Sequence, residues 1–231
     1  MLRISGLERS SLLDYPGKIS AIIFTHGCNL RCPYCHNPEL VIEGFNKGGS
    51  FGEEDILSFL ESRKGKLDAL VITGGEPLVQ SGLLPFIKKV KEMGFLIKLD
   101  SNGTFPDRLK DFIATGLIDY IAIDVKYPKV GYVKNSMIPG VAKKIEESIK
   151  IIMDSELEYE FRTTYTKPLH SLESAEGIGK MIKGAKNYYI QNFRPGKTID
   201  PTLTKKNSFT TKELEQIKKT VGKYVENVRI R

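Results

Sequence analysis

Short runs of apolar, β-branched and aromatic residues alternate along this chain with longer stretches whose apolar positions recur every three or four residues. The short runs predict buried strands at 20–25, 69–73, 95–101, 120–126, 159–164 and 188–193. The longer stretches predict amphipathic helices at 53–63, 83–93, 107–115, 141–154, 175–183 and 212–224. Ser50 with Glu53 fits a capping box, Gly94 follows Met93 as a residue past a helix end does, and Thr210 with Glu213 opens the last helix. Residues 227–231 alternate like a short closing strand, and 167–170 and 195–207 read as loops. Alternating strand and helix implies parallel pairing. The pattern therefore predicts one α/β domain over 1–231: a partial (β/α)6 TIM-like barrel, open laterally, with a C-terminal helix and a short final strand. Barrels of this kind gather reactive groups at the C-terminal ends of their strands.

Composition narrows the class. The 231 residues are 40% hydrophobic and 27% charged, as in ordinary globular proteins. A chain of this length buries a core without covalent staples. Its longest apolar runs are about five residues, against the roughly 20 that cross a bilayer. The N-terminal stretch has no apolar signal segment, so a cytoplasmic protein without a membrane partner is expected. Net charge is +7, and residues 197–231 hold nine Lys/Arg against four Asp/Glu. That excess reads either as a solvated helix face or as a docking face for an acidic partner. Aromatic residues are not interleaved with these charges, which argues against a nucleic-acid partner.

Cysteine usage changes the picture most. All three cysteines, Cys28, Cys32 and Cys35, fall in one loop directly after the first predicted strand, spaced C-x3-C-x2-C. An odd, tightly grouped set is not a disulfide framework; it points to a reduced compartment and to metal. Gly27 and Pro33 favour a wrapped loop over a helix. A [4Fe–4S] cube normally takes four thiolates, so three leave one iron open to an external ligand. On the loop alone the alternative is zinc, with His36 as the fourth ligand of a tetrahedral site.

Further polar groups stand at the other strand ends. Thr73-Gly74-Gly75-Glu76-Pro77 is a strand-to-loop turn, with glycines that admit close backbone approach and a carboxylate that can meet an ammonium group. Asp100-Ser101-Asn102-Gly103 reads alone as an Asn-Gly turn. Asp124 and Lys126 share one side of a strand, as a surface ion pair would. Arg162 and Gln191 end the next two strands, and a guanidinium there can meet a carboxylate bidentately. His26 and His170 sit in no ligand spacing.

The cysteine spacing, with aromatic Tyr34 before the last Cys, resembles the signature of the radical S-adenosylmethionine (SAM) superfamily. Leu13-Asp14-Tyr15-Pro16-Gly17, Gly27-Cys28 and Cys35-His36-Asn37-Pro38 extend the likeness to its glycyl-radical-enzyme activating subfamily, in particular the activators of anaerobic ribonucleoside-triphosphate reductase. The resemblance covers essentially the whole chain and implies a [4Fe–4S] cluster on Cys28, Cys32 and Cys35, whose open iron is chelated by the methionine end of SAM. It places Tyr34 near the adenine and Gly74, Gly75, Glu76 and Pro77 at the methionine amino group. Ser101 and Asn102 match a stretch that meets ribose or carboxylate; Arg162 would meet the cofactor carboxylate and Gln191 the ribose. Asp124 and Lys126 match a D-x-K whose aspartate helps hold a monovalent cation, here with Asp100, while its lysine faces the cofactor. The implied reaction is reductive cleavage of SAM to a 5′-deoxyadenosyl radical that takes a hydrogen from a glycine of a partner enzyme. A small donor such as flavodoxin or ferredoxin would supply the electron. Pyruvate formate-lyase activation and a small-molecule reaction like that of 7-carboxy-7-deazaguanine synthase are the alternatives, with a zinc-stabilised binding protein last. The chain is longer than the most compact reductase activators and lacks the Cys-rich insert of some activating enzymes, so one cluster is all it can hold.

Overall fold

The computed structural model of the chain describes residues 2–41 and 51–231. Its strands are β1 (Ile4–Ser11), β2 (Ser20–Thr25), β3 (Ala69–Gly74), β4 (Leu96–Ser101), β5 (Tyr120–Asp124), β6 (Glu158–Tyr165), β7 (Asn187–Asn192) and β8 (Asn227–Ile230). The helices are α1 (Pro38–Val41), α2 (Glu53–Glu61), α3 (Leu83–Glu92), α4 (Pro106–Ala114), α5 (Lys129–Asn135), α6 (Val141–Met153), α7 (Leu172–Met181) and α8 (Thr211–Val221). The sheet follows chain order from β1 to β8, so its ends do not meet. In this sheet β2 with β3, β3 with β4, β6 with β7 and β7 with β8 pair in parallel, as strand–helix alternation requires.

Chain contacts form two compact units, interleaved in sequence. The first takes residues up to Leu30, then 37–101 and 108–121. Here β1 pairs antiparallel with β2, with Ile4 opposite Thr25 and Leu7 opposite Ile23. The sequence pattern does not announce β1, because only its first residue is buried and the rest lack a clean period. Tyr15, Ile22, Ala69, Val71 and Tyr120 form a core cluster, with the Tyr15 and Tyr120 rings 5.6 Å apart. Tyr15 belongs to the Asp14-Tyr15-Pro16-Gly17 stretch, and this gives the tyrosine a packing role. Leu83, Phe86, Ile87 and Val90 put one face of α3 into the core, and Gly94 follows at φ +93° as the predicted helix terminator. The Ser50 part of the expected capping box lies outside the described residues. At that end of α2, Asp55 rather than Glu53 accepts from the Gly52 amide, at 2.8 Å.

The second unit takes 31–36, 102–107 and 122–231. Helix α5 is unannounced in the sequence, since Val130 and Val133 are largely exposed and Gly131 interrupts the pattern. Buried Tyr132 holds it to the sheet, its hydroxyl accepting from the Lys126 amide at 2.7 Å. Helix α6 buries Val141, Ala142, Ile145, Ile149 and Ile152, the expected stripe. Thr210 and Glu213 form the predicted capping box of α8, with the Thr210 amide donating to Glu213 at 2.7 Å.

Candidate active site

In the first unit the functional groups stand where β2, β3 and β4 end. Gly74 has φ +114°, and a Cβ there would lie 2.3 Å from the Thr25 nitrogen. A Cβ on Gly75 would lie 2.1 Å from the Gly27 oxygen. The glycines thus let β3 close on the protein's own backbone, at the residue before Cys28, rather than on a ligand. Two hydrogen bonds lock that approach, from Gly75 N–H to Thr25 C=O at 2.9 Å and from Glu76 N–H to Gly27 C=O at 2.8 Å. Pro77 opens a single 3-10 turn, where its missing N–H costs nothing. The Glu76 side chain is fully buried; Oε1 accepts from the Ser101 hydroxyl at 2.8 Å and from the Leu78 amide at 3.0 Å. These two donors fix the orientation of the buried carboxylate. Cys28, half-buried, accepts from the Leu30 amide at 3.4 Å. His26 is structural: Nδ1 meets the Ser5 hydroxyl at 3.1 Å, and its carbonyl accepts from Gln80 at 2.6 Å.

The second unit holds Cys32 and Cys35. The Cys35 amide donates to the Cys32 carbonyl at 3.0 Å, closing a tight turn. The loop at 195–207 braces that turn, with Asp200 N–H on Pro33 C=O at 2.9 Å and Ile199 N–H on Cys35 C=O at 3.2 Å. Sequence pattern alone gives no sign of this bracing. Burial raises the Cys32 thiol pKa, and the Lys126 ammonium pulls it back down. Tyr34 is buried, edge-on to His170 with centroids 6.1 Å apart, and its hydroxyl meets no hydrogen-bond partner among the described residues. His170 stacks on Tyr127 at 5.6 Å and 6°, and its Nε2 lies 2.8 Å from the Lys126 carbonyl. It is a buried support for the Lys126 backbone, and burial pushes its pKa down against the backbone hydrogen bonds that raise it.

Asp124 is the electrostatic centre of this unit. Its Oδ1 accepts from Arg162 Nε at 2.8 Å and its Oδ2 from Lys126 Nζ at 3.3 Å. Burial pushes the Asp124 carboxyl up, but the Arg162 guanidinium and then the Lys126 ammonium outweigh it and hold the group well below the usual carboxylate range. Strand β5 ends at Asp124, so Lys126 lies beyond the strand yet still faces the aspartate. Arg162 departs from expectation. Its guanidinium is engaged by Asp124 through Nε and also lies 3.7 Å from Glu160. The Asn102 oxygen accepts from the Thr104 amide at 3.0 Å and hydroxyl at 2.7 Å, which shapes the loop. Gln191 accepts from the Thr164 hydroxyl at 3.2 Å. Asp100 receives Lys98 Nζ at 2.7 Å, a pair in which Lys98 is 1% exposed. In the first unit Lys98 thus supplies positive charge to Asp100, and in the second Arg162 and Lys126 supply it to Asp124.

The thiol set fits an iron–sulfur cube better than zinc. All three cysteines are unbridged and half-buried. A cube takes its thiolates at separate irons. His36, the fourth ligand that zinc would need, stacks on Phe193 at 5.6 Å with its Nε2 2.7 Å from the Arg194 carbonyl.

Comparison with known proteins agrees. The Radical SAM superfamily matches residues 22–183. A Methanocaldococcus jannaschii protein that carries the provisional name glycyl-radical enzyme activating enzyme is 37% identical over 99% of this chain and 95% of its own. The 7-carboxy-7-deazaguanine synthase of Methanopyrus kandleri is 31% identical over 51% of this chain and 53% of its own. In fold, the chain resembles SuiB of Streptococcus suis bound to SAM, with TM-score 0.64 and 14% identity over 88% of this chain and 48% of that one. No helix among the described residues is long and apolar enough to cross a membrane. Three unbridged thiols on one loop, an α/β sheet in chain order and a family match over most of its length make this chain an enzyme of the radical SAM superfamily, in its glycyl-radical-enzyme activating subfamily, which works with a [4Fe–4S] cluster and SAM.

Proposed function

We propose that this enzyme installs a glycyl radical on a partner enzyme in the cytoplasm, and that the partner is anaerobic ribonucleoside-triphosphate reductase. The observation that carries the reading is the near full-length likeness to the Methanocaldococcus jannaschii activating enzyme, together with the Cys35-His36-Asn37-Pro38 continuation of the cysteine loop. The synthase likeness spans only half of each chain and supports the shared cofactor machinery more than a shared substrate.

In this reading Cys28, Cys32 and Cys35 hold the cluster and leave one iron to the amino and carboxylate groups of SAM. The bound cluster, once reduced by a flavodoxin or ferredoxin, supplies the electron that cleaves the sulfonium. Glu76, held by Ser101 and the Leu78 amide, accepts from the methionine ammonium. Gly74, Gly75 and Pro77 fix the turn that presents it. Lys126, tethered by Asp124, which Arg162 holds in turn, offers its ammonium to the cofactor. Tyr34 walls the adenine with a buried ring. Asn102 shapes the loop beside the ribose, and Gln191 offers its amide nitrogen there.

The test mixes reduced protein, SAM and the reductase from the same source under anaerobic conditions. Electron paramagnetic resonance should show a glycyl doublet that collapses when the partner glycine is α-deuterated. A doublet only with a different glycyl enzyme would overturn the reductase assignment. No doublet with any glycyl partner, with turnover of a small molecule instead, would overturn the class.

A further inference from the structure

Five charged side chains of the second unit stand in a row with alternating sign. Arg231 donates to Glu160 through both terminal nitrogens, at 3.0 Å and 3.0 Å, and its guanidinium lies 3.4 Å from the Tyr189 ring centroid. Glu160 is fully buried and lies 3.7 Å from Arg162. Arg162 binds Asp124 at 2.8 Å, and Asp124 meets Lys126 at 3.3 Å. Glu160 and Arg162 are two apart on β6, so they share a face of the strand.

Such a row is a poor device for stability, because buried ion pairs are often replaceable by apolar packing at no loss. Its value lies in where it ends. The Arg162 guanidinium has two carboxylates within reach, and its shorter contact is to Asp124. What keeps it there is Arg231, whose two-pronged grip and stack on Tyr189 satisfy Glu160 from the other side. A Glu160 stripped of that grip competes harder for Arg162.

We propose that Arg231 is a positioning residue: by holding Glu160 it leaves Arg162 on Asp124, and so fixes the Lys126 ammonium for the cofactor. This rests on the reading above that Asp124 and Lys126 serve SAM.

The test is equilibrium binding of SAM to cluster-reconstituted protein. Arg231→Leu should weaken binding roughly threefold to tenfold, a coupling usual for residues in one ionic network. Glu160→Gln removes the competing charge, so Glu160→Gln with Arg231→Leu should bind within about twofold of Glu160→Gln alone. A merely structural role would instead add the two losses. Arg231→Lys, which keeps the charge and loses the fork, covers the case in which Arg231→Leu does not fold, and should show a smaller loss of affinity. Wild-type affinity in Arg231→Leu or Arg231→Lys, or a double variant as weak as Arg231→Leu, would overturn the proposal. Unchanged affinity in Asp124→Asn would overturn it differently, by removing Asp124 from the cofactor site altogether.

Discussion

The amide of Glu76 donates to the carbonyl of Gly27 at 2.8 Å, so the site carboxylate and the root of the cysteine loop are fixed by one backbone contact. That contact leaves no room for a side chain at 75, where a Cβ would lie 2.1 Å from the Gly27 oxygen. Gly75→Ala is therefore expected to cost on the order of 3 kcal/mol and to lower iron loading together with melting temperature. Gly196→Ala, with nothing within 4 Å of the added Cβ, should leave both unchanged. Calorimetry and iron analysis of the two variants check this.

Glu76 keeps a buried carboxylate on Ser101 and the Leu78 amide, both neutral donors. Glu76→Gln should retain the cluster yet weaken SAM binding by about 1.5–3 kcal/mol, the value of a hydrogen bond to a charged group. Ser101→Ala should weaken it less. Equal affinity of Glu76→Gln and wild type in a titration would remove Glu76 from the cofactor.

Lys98 and Asp100 are paired in the core at 2.7 Å, with side-chain exposures of 1% and 11%. Lys98→Met removes the buried cation that faces the carboxylate and should cost about 3–5 kcal/mol. Adding Asp100→Leu should recover most of that loss. Denaturant unfolding of the single and double variants measures it. If the double variant is no more stable than Lys98→Met, the pair is not what the carboxylate needs.

Glu213 is bonded by Lys167 Nζ at 2.6 Å and by the Thr210 amide at 2.7 Å. The Lys167 hydrogen bond first, then those from Thr210, hold its carboxyl down to about 2, from an ordinary 4.5. A depressed carboxyl stabilises the fold above its ordinary pKa, and that contribution fades as pH falls from about 4.5 toward 2. Carboxyl NMR should find the Glu213 midpoint near 2 in the folded protein, rising toward 4.5 in Lys167→Met.

The strands and helices that bury a regular face were legible, and Ser20–Thr25 begins and ends where its apolar run does. What the pattern does not announce lacks such a face: β1 is mostly half-exposed or exposed, and α5 turns two valines outward and is held by Tyr132 and by the Lys129–Glu146 pair. The motif residues were legible as types, but their tasks were not. Spacing cannot show that Gly75 packs on Gly27, that Arg162 serves Asp124, or that a distant loop braces Cys35, because each depends on contacts across long stretches of sequence. The Arg231–Glu160 grip joins residues 71 apart, and it falls in no motif.

In the proposed site three thiolates, on Cys28, Cys32 and Cys35, leave one iron of a cube for SAM. Mössbauer spectroscopy of protein reconstituted with 57Fe, before and after adding SAM, tests it most directly. About one quarter of the iron signal should shift on addition while the rest holds. Changing any one of the three cysteines to Ala should abolish the cluster. A spectrum unmoved by SAM, or a single-cysteine variant with a full complement of iron, would contradict it.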